Sequence, residues 1–295
     1  MIAKEVAMLD INLKKELERL ALEIRIGEVE EFKARGFGHI GGSLSVADAL
    51  AVLYGAVMTV DPKNPLWEDR DKLVCSKGHA GPAVYAALAR KGFFPYEELK
   101  TLNQPGTNLP SHCDRKKTPG IDMTTGSLGQ GTSLAVGMAL GDRLKGRPGR
   151  TYLIVGDGEL NEGQAWEAAM FSAAKKVTNL VWLIDHNKKQ LDGFTRDILD
   201  SGDLRLKFEA FGFDAVSIDG NDLEQLYMTL SKDVQDRPLA VVMHTIKGRG
   251  IKEVEETMAN HSMAMTDEAY DRWLWELKRQ LDDIPCAGER KEGIS

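Results

Sequence analysis

After Arg150 the chain alternates between short apolar runs and helical stretches, and this alternation limits the possible fold more than any other feature. The apolar runs are "TYLIVGDG", "NLVWLIDHN", "FDAVSIDG" and "PLAVVMHTIKGRG", and the helical stretches include "EGQAWEAAMFSAAKK" and "NDLEQLYMTLSKDV". Strands that alternate with helices imply crossover connections and a parallel sheet that is covered on both faces. The sequence therefore predicts an α/β fold.

Helical patterns also occur outside this alternating half. Apolar residues recur at helical spacing from 10 to 34, and a second helix is expected from Val46 to Met58 with Ser45 as its N-cap. The segment from about 60 to 130 is rich in Gly, Pro, Asn and His, and we expect loops with short helices there. The tail "DEAYDRWLWELKRQLDDI" returns to helix. The expected architecture is a parallel sheet flanked by helices, with an N-terminal helical and loop region.

Composition excludes several classes of protein. Hydrophobic residues make up 42% and charged residues 28% of the chain, and the net charge of -7 argues against a general nucleic-acid binder. No apolar run is long enough to span a bilayer, and the charged N-terminus lacks a signal-peptide core. The three cysteines, Cys75, Cys113 and Cys286, are far apart and form no C-x-x-C pair. We therefore expect a reduced, cytoplasmic protein.

One motif resembles a dinucleotide-binding fingerprint. Gly36, Gly38 and Gly41 spell G-x-G-x-x-G, and Asp61 lies twenty residues beyond. That fingerprint needs a strand before it, whereas "GEVEEFKAR" is charged and helical. We interpret the match as accidental and the glycines as a flexible loop between two helices that carries His39. A nicotinamide oxidoreductase is the alternative, and it depends on this motif alone.

Polar residues follow two neighbouring strands of the predicted sheet. Asp157 lies at the carboxyl end of one strand, and Asn187 lies thirty positions on at the end of the next. Both side chains should emerge at the edge of the sheet where open α/β folds bind ligands. A carboxylate and a carboxamide suit magnesium, which fills its octahedron with waters and phosphate oxygens, while Gly156 and Gly158 allow close approach of a phosphate. An ordinary strand-turn-helix is the alternative.

The Gly-Asp-Gly turn followed by Asn187 resembles the thiamine diphosphate signature, and the sequence around it is similar to that of transketolases. The similarity continues in order through "GHIGG", "CSKGHAGPAVYAAL", "LPSHCDRKKTPGIDMTTGSLGQG" and "HTIKGRGIKEVEETMANHSM". The chain most resembles the separately encoded N-terminal subunits of split transketolases, since it stops at Ser295, about where the first domain of a full-length transketolase would end. The resemblance implies a single diphosphate-binding domain, 1–295, with the thiamine diphosphate-binding fold.

The resemblance also implies two cofactors, thiamine diphosphate and Mg²⁺. The side chains of Asp157 and Asn187 and the main-chain carbonyl of Lys189 would bind the metal. Lys247 would oppose phosphate charge. The expected cofactor-binding residues are His79, Gly126, Ser127, Leu128, Gly156, Gly158, Asn187, Lys247 and His261.

Four of the six histidines match the family's active site, namely His39, His79, His112 and His261. Cleavage of a ketose needs proton transfers at its hydroxyls, and histidine can accept and donate protons near neutral pH. The resemblance places His79 against the cofactor and the other three against the sugar. The remaining two, His186 and His244, have no such match and are expected to be structural.

Two acids, Glu162 and Glu167, match residues that join a network across the family's dimer interface. That network leads to the catalytic glutamate of the partner domain, which we expect on a second polypeptide, the C-terminal transketolase subunit with the pyrimidine-binding domain. The implied enzyme is an α2β2 heterotetramer that self-associates through its diphosphate domains. It would transfer a two-carbon ketol unit from a ketose or ketose phosphate to an aldose or aldose phosphate.

Two further alternatives stay open. One is a subunit of another thiamine-dependent enzyme that forms carbon–carbon bonds, similar to deoxyxylulose phosphate synthase. The other is a catalytically silent cofactor-binding subunit that regulates a partner. The presence of all four histidines argues against the silent form.

Overall fold

The computed structural model describes residues 9–285 and has an α/β architecture. None of its helices combines the length and the apolar character needed to cross a membrane. The strands are β1 (Phe37–Gly38), β2 (Lys72–Cys75), β3 (Thr151–Gly156), β4 (Leu180–His186), β5 (Asp214–Asp219), β6 (Leu239–His244) and β7 (Met263–Ala264). The helices are α1 (Ile11–Arg35), α2 (Ile40–Leu44), α3 (Ala47–Val52), α4 (Gly81–Lys91), α5 (Gln130–Leu144), α6 (Gly163–Ala174), α7 (Thr195–Leu199), α8 (Leu204–Phe211), α9 (Leu223–Leu230), α10 (Lys252–Glu256) and α11 (Asp267–Asp282).

Five parallel strands form the central sheet in the order β2-β3-β4-β6-β5. Gly156 of β3 lies opposite Asp185 of β4, and His186 of β4 lies opposite His244 of β6. The carboxyl ends of β3, β4 and β6 therefore lie at the same level. This register brings the residues after β3 and β4 to one edge of the sheet.

Strands β3, β4 and β6 are buried on both faces, which explains their nearly continuous apolar runs. Successive residues of β3 belong to different cores: Tyr152 and Ile154 pack on the side of α1, α3, α4 and α11, and Leu153 and Val155 pack on the side of α5, α6 and α8. This is the two-residue periodicity of a strand between two helical layers. The fold is the predicted parallel sheet flanked by helices.

The first helix follows the expected span closely. The side chain of Asp10 caps its start by accepting from the backbone N–H groups of Asn12 and Leu13, and Gly36 ends it with φ 85° in the left-handed region. Helix α1 packs on α3, α4 and α11. Its C-terminal end leads directly to His39, so the helix fixes where the first histidine enters the site.

Two local expectations are wrong. The helix predicted from Val46 to Met58 is present as α3 continued by a π-helical turn at Leu53–Val57, but Ser45 does not cap it, because the Ser45 hydroxyl bonds to Gly42 and Asp185 instead. The glycines near His39 are also not a flexible loop. Gly41 is buried in α2, where a Cβ would lie 2.4 Å from the carbonyl oxygen of Asn260. Gly41 therefore permits close packing of α2 against the backbone at Asn260.

The middle of the chain contains more regular structure than its composition indicates. Strand β2 was not anticipated, because it has only four residues and loops precede and follow it. A second, two-stranded sheet joins β1 to β7, with Phe37 opposite Ala264 and Gly38 opposite Met263. Cys75 and Cys113 are buried free thiols, whereas Cys286 lies outside the described residues.

Candidate active site

A cleft of about 260 Å³ lies at the carboxyl edge of the sheet. It gathers residues from the segments after α1, β2, β3, β4 and β6 and from the long loop before α5. The residues expected from the sequence that line it are His39, His79, His112, Gly126, Leu128, Gly156, Asp157, Gly158, Asn187, Lys189, Lys247 and His261.

Asp157 and Asn187 are held by backbone and side-chain hydrogen bonds. The N–H of Gly158 donates to Oδ1 of Asp157 at 2.8 Å, and the N–H of Lys188 donates to Oδ2 at 2.6 Å. The N–H of Lys189 donates to Oδ1 of Asn187 at 3.1 Å. Each of these oxygens has a second lone pair, so the pair can still coordinate a cation.

The electrostatics of Asp157 favour an added positive charge. Burial, and then the negative charge of Asp185, raise the pKa of Asp157 to about 7 against the effect of its two backbone donors. A buried carboxylate whose charge is disfavoured to this extent gains from a metal ion beside it. The residues thus fit a hard cation such as magnesium.

Two buried lysines supply positive charge to the same cleft. Lys77 forms an ion pair with Asp185 and donates to the carbonyl of Gly42 at 2.7 Å. Nζ of Lys247 lies 3.2 Å from the carbonyl oxygen of Lys189 and 3.4 Å from Nδ1 of His261. Burial, and then the nearby charge of Lys77, lower the pKa of Lys247 to about 8. An anionic group in the cleft would relieve this repulsion.

Two glycines of the cleft allow close packing of its walls. Gly126 has φ 149°, in the region that favours glycine, and a Cβ there would lie 3.3 Å from the ring of His112. At Gly158 a Cβ would lie 3.0 Å from the side chain of Gln190. These glycines therefore let the "TGSLGQG" loop and the Gly-Asp-Gly turn pack closely against His112 and Gln190 at the cleft.

The four matched histidines form a cluster. The ring of His39 has its centroid 5.7 Å from that of His79, 5.4 Å from that of His112 and 5.4 Å from that of His261, and the rings of His79 and His261 are 4.8 Å apart. Four segments that are remote in sequence thus place imidazoles around one space.

These histidines are neutral at neutral pH. Burial is the main cause of a lowered pKa at His39, His79 and His112, and positive neighbours add to it at His79. Burial and the charge of Lys247 lower the pKa of His261 to about 3. Neutral imidazoles can both accept and donate hydrogen bonds, so the cluster can hold hydroxyl groups and move protons between them.

Several residues singled out from the sequence, including the two histidines expected to be structural, lie outside the lining of the cleft. Ser127 is exposed and does not line the cleft, although both its neighbours do. Glu162 and Glu167 are exposed at the start of α6, also outside the lining. His186 and His244 contact each other, with ring centroids 5.1 Å apart, and do not line the cleft either.

Three buried charged residues of the site were missed from the sequence. Glu159 accepts hydrogen bonds from the N–H groups of Gly129 and Gly156, and Asp185 and Lys77 form the ion pair beneath the cleft. Each could have been found from the sequence. Glu159 directly follows the Gly-Asp-Gly turn, Asp185 is an acid within the apolar run "LVWLIDHN", and Lys77 lies two residues before His79.

Comparison with known proteins agrees with this geometry. Residues 17–279 match the family model described as "Transketolase, thiamine diphosphate binding domain". The chain is 48% identical over 267 residues to the 6-deoxy-6-sulfo-D-fructose transketolase subunit SqwG of Clostridium sp. (strain MSTE9), covering 90% of this chain and 97% of that protein. It is 39% identical over 242 residues to an apulose-4-phosphate transketolase subunit of Actinobacillus succinogenes, covering 82% of this chain and 88% of that one.

Solved structures of transketolases have the same fold. The transketolase of Leishmania mexicana matches with a TM-score of 0.81 at 28% identity, and that of Campylobacter jejuni matches with 0.82 at 28% identity. The matches cover 91% and 92% of this chain but only 45% and 43% of those proteins. The chain thus spans a little under half the length of the solved structures that it resembles.

Proposed function

The chain belongs to the transketolase family, and from this membership we propose that it is the diphosphate-binding subunit of a two-subunit transketolase. The observation that carries the proposal is the meeting of Asp157, Asn187 and the four-histidine cluster in one cleft. A metal-diphosphate site and a set of neutral proton-transfer groups are what ketol transfer needs side by side.

Thiamine diphosphate and magnesium fit the cleft as resident groups. Asp157, Asn187 and the carbonyl of Lys189 would hold the metal, and Lys247 would balance phosphate charge from its buried position. The main chain of the Gly-Asp-Gly turn and of the "TGSLGQG" loop would bind the diphosphate. When bound, thiamine diphosphate supplies the carbon nucleophile that accepts the two-carbon unit.

The histidines of this chain would then act on the sugar. Since all four imidazoles are neutral, each can accept a proton from a hydroxyl or donate a hydrogen bond to one. His79 would lie nearest the diphosphate, and His39, His112 and His261 would contact the ketose. Their close spacing allows a proton to pass between neighbouring hydroxyls of one substrate.

The remaining parts of the enzyme would come from a second polypeptide. Two relatives that this chain nearly covers are named as transketolase subunits. We propose a C-terminal partner with the pyrimidine-binding domain and the glutamate that activates the cofactor, in an α2β2 assembly. Residues 1–295 would form one domain, with the exposed Glu162 and Glu167 at the contact between diphosphate domains. The scattered cysteines support a reducing, cytoplasmic setting.

The names of the relatives also bear on the substrate. One is named for 6-deoxy-6-sulfo-D-fructose and the other for apulose 4-phosphate, and both sugars carry a terminal anion. We propose that the donor is a ketose with such an anionic end. The sulfonated sugar is the first candidate, because the identity is 48% to the relative named for the sulfosugar, against 39% to the relative named for apulose 4-phosphate.

The test is a ketol-transfer assay of the purified chain with and without the C-terminal subunit, in the presence of thiamine diphosphate, magnesium and an aldose phosphate as acceptor. The donors are 6-deoxy-6-sulfo-D-fructose, apulose 4-phosphate and, as an uncharged control, fructose. We expect turnover only in the mixture and only with an anionic ketose. Full activity of the chain alone would disprove the two-subunit proposal, and a preference for fructose would disprove the proposed substrate class.

A further inference from the structure

Asp185 is the most heavily hydrogen-bonded acid beneath the cleft. It lies in β4 and is fully buried. Its carboxylate accepts from Ser45 at 2.7 Å and from Nδ2 of Asn187 at 2.9 Å, and it also accepts from Thr245 and forms the ion pair with Lys77. Four donors from four different segments thus meet at one side chain.

The bond to Asn187 has a chemical consequence. A carboxylate can only accept hydrogen bonds, so the group of Asn187 that faces Asp185 must be the NH₂ and not the oxygen. The carbonyl oxygen of the amide is then fixed on the side away from Asp185. There it accepts from the N–H of Lys189 at 3.1 Å and keeps a lone pair for a cation.

A terminal amide alone would not guarantee this orientation. Its O and NH₂ ends have nearly the same shape, and rotation by half a turn would present two N–H donors to a metal that needs an oxygen. Asn187 lines the cleft with Asp157, whereas Asp185 does not. The side chain of Asp185 therefore contacts the proposed metal ligands through Asn187.

We propose that Asp185 is a positioning residue, which selects the oxygen of Asn187 as the magnesium ligand. The proposal rests on the metal site of the proposed function and extends it to a residue that does not contact the metal. Lys77 has a supporting role, since its ammonium compensates the buried negative charge of Asp185.

The experiment compares two double variants that both lose the buried ion pair, K77M/D185N and K77M/D185L. Asparagine and leucine are similar in size, and removing both charges together avoids an unpaired buried ion. Asn at 185 keeps an acceptor oxygen for the NH₂ of Asn187, and Leu does not. The two variants therefore differ in whether position 185 offers an acceptor to Asn187 and to the hydroxyls of Ser45 and Thr245.

The readout is the magnesium concentration that gives half of the thermal stabilisation by excess thiamine diphosphate, with the melting temperature without cofactor as a check of folding. We expect K77M/D185L to need about tenfold more magnesium than K77M/D185N, in line with other residues that support a metal ligand. Equal magnesium requirements would overturn the proposal. Should the leucine variant not fold, K77M/D185A replaces it with the same expectation and the same contrary result.

The wild-type chain separates this inference from the proposed function. If thiamine diphosphate with magnesium does not stabilise the wild type, alone or with its partner subunit, the proposed cofactor site is wrong. If thiamine diphosphate with magnesium stabilises the wild type, and the two double variants need equal magnesium concentrations, only the proposed role of Asp185 is wrong.

Discussion

The backbone N–H of Gly129 donates to Oε1 of Glu159 at 2.9 Å, although the two residues lie on different loops and thirty positions apart. The same carboxylate accepts from the N–H of Gly156 at 3.1 Å and from the hydroxyl of Ser76. Glu159 thus ties together the "TGSLGQG" loop, the end of β3 and the segment that carries His79. Each of these segments contributes to the lining of the cleft.

Glu159→Ala should therefore weaken both folding and cofactor binding. It leaves buried donors without an acceptor, each costing about 1–3 kcal/mol, so we expect a loss of about 2–4 kcal/mol in the free energy of unfolding. Urea denaturation measures this loss, and calorimetry measures thiamine diphosphate affinity. Glu16→Ala is the control, because that exposed side chain of α1 should change stability by less than about 0.5 kcal/mol. Equal stability of the two variants would contradict the role of Glu159.

Asp157→Ala tests the metal site. It removes the charged oxygens that Gly158 and Lys188 orient, so magnesium should no longer bridge the protein to the diphosphate. We expect magnesium-dependent binding of thiamine diphosphate to be lost in calorimetric titration, with the chain still folded. Unchanged affinity would remove Asp157 from the proposed ligands.

His39→Ala tests the sugar side of the cleft. His39 contacts the other three histidines and does not belong to the proposed metal ligands. Turnover with the ketose donor should fall by about 10²–10⁴-fold, the range for lost acid-base catalysis, while cofactor affinity stays near that of the wild type. His244→Ala, which lies outside the cleft, is the matched control. Similar turnover in the two variants would show that His39 does not act on the substrate.

The pH dependence of stability should be set in part by Glu28 in α1. Its side chain is fully buried, and neither carboxyl oxygen has a partner among the described residues. Burial raises its pKa to about 8, against the positive charges of Arg25 and Lys77 and with the help of Asp48. The neighbouring Glu31 is also buried, and burial likewise raises its pKa.

The folded chain keeps the proton of Glu28, whereas the unfolded chain loses it near the ordinary pKa of 4.5. The contribution of Glu28 to stability is therefore fully present below that pH and is lost as the pH rises through about 8. Glu28→Gln removes this titration. We expect a gain of roughly 2–4 kcal/mol near pH 8.5 and little change near pH 4, measured by urea denaturation. Glu16→Gln, an exposed change in the same helix, should show no such pH dependence. An equal effect of Glu28→Gln at both pH values would contradict the argument.

The sequence predicts the layered part of the fold well, because β3, β4 and β6 are buried on both faces and so carry nearly unbroken apolar runs, whereas the edge strand β5 is partly exposed. It predicts the first half less well. Strand β2 has only four residues, and its burial depends on β3, a neighbour about eighty positions away. The misassigned cap at Ser45 has the same origin, since its hydroxyl bonds to Asp185, a partner that local pattern cannot reveal.

The site shows the same division. Asp157 and Asn187 are recognisable because strand ends place them at a predictable edge of the sheet, and the histidines are recognisable from the family's motifs. Glu159 lines the cleft through bonds to remote loops, and Asp185 lies beneath it, so neither periodicity nor spacing marks them. The exposure of Ser127 is also a matter of tertiary packing, because only the folded loop shows which of its residues face the cleft.

The small sheet between β1 and β7 has a consequence for how a newly made chain matures. Phe37 pairs with Ala264, so the segment of His39 is completed by residues that are translated more than two hundred positions later. At about 5–20 residues per second, a ribosome takes roughly 10–45 seconds to cover that distance. Throughout this interval strand β1, which precedes His39, lacks its partner strand β7. The cleft can therefore be completed only after residue 264 has been translated, and a ligand that needs the completed cleft cannot guide the folding of the segments made before it.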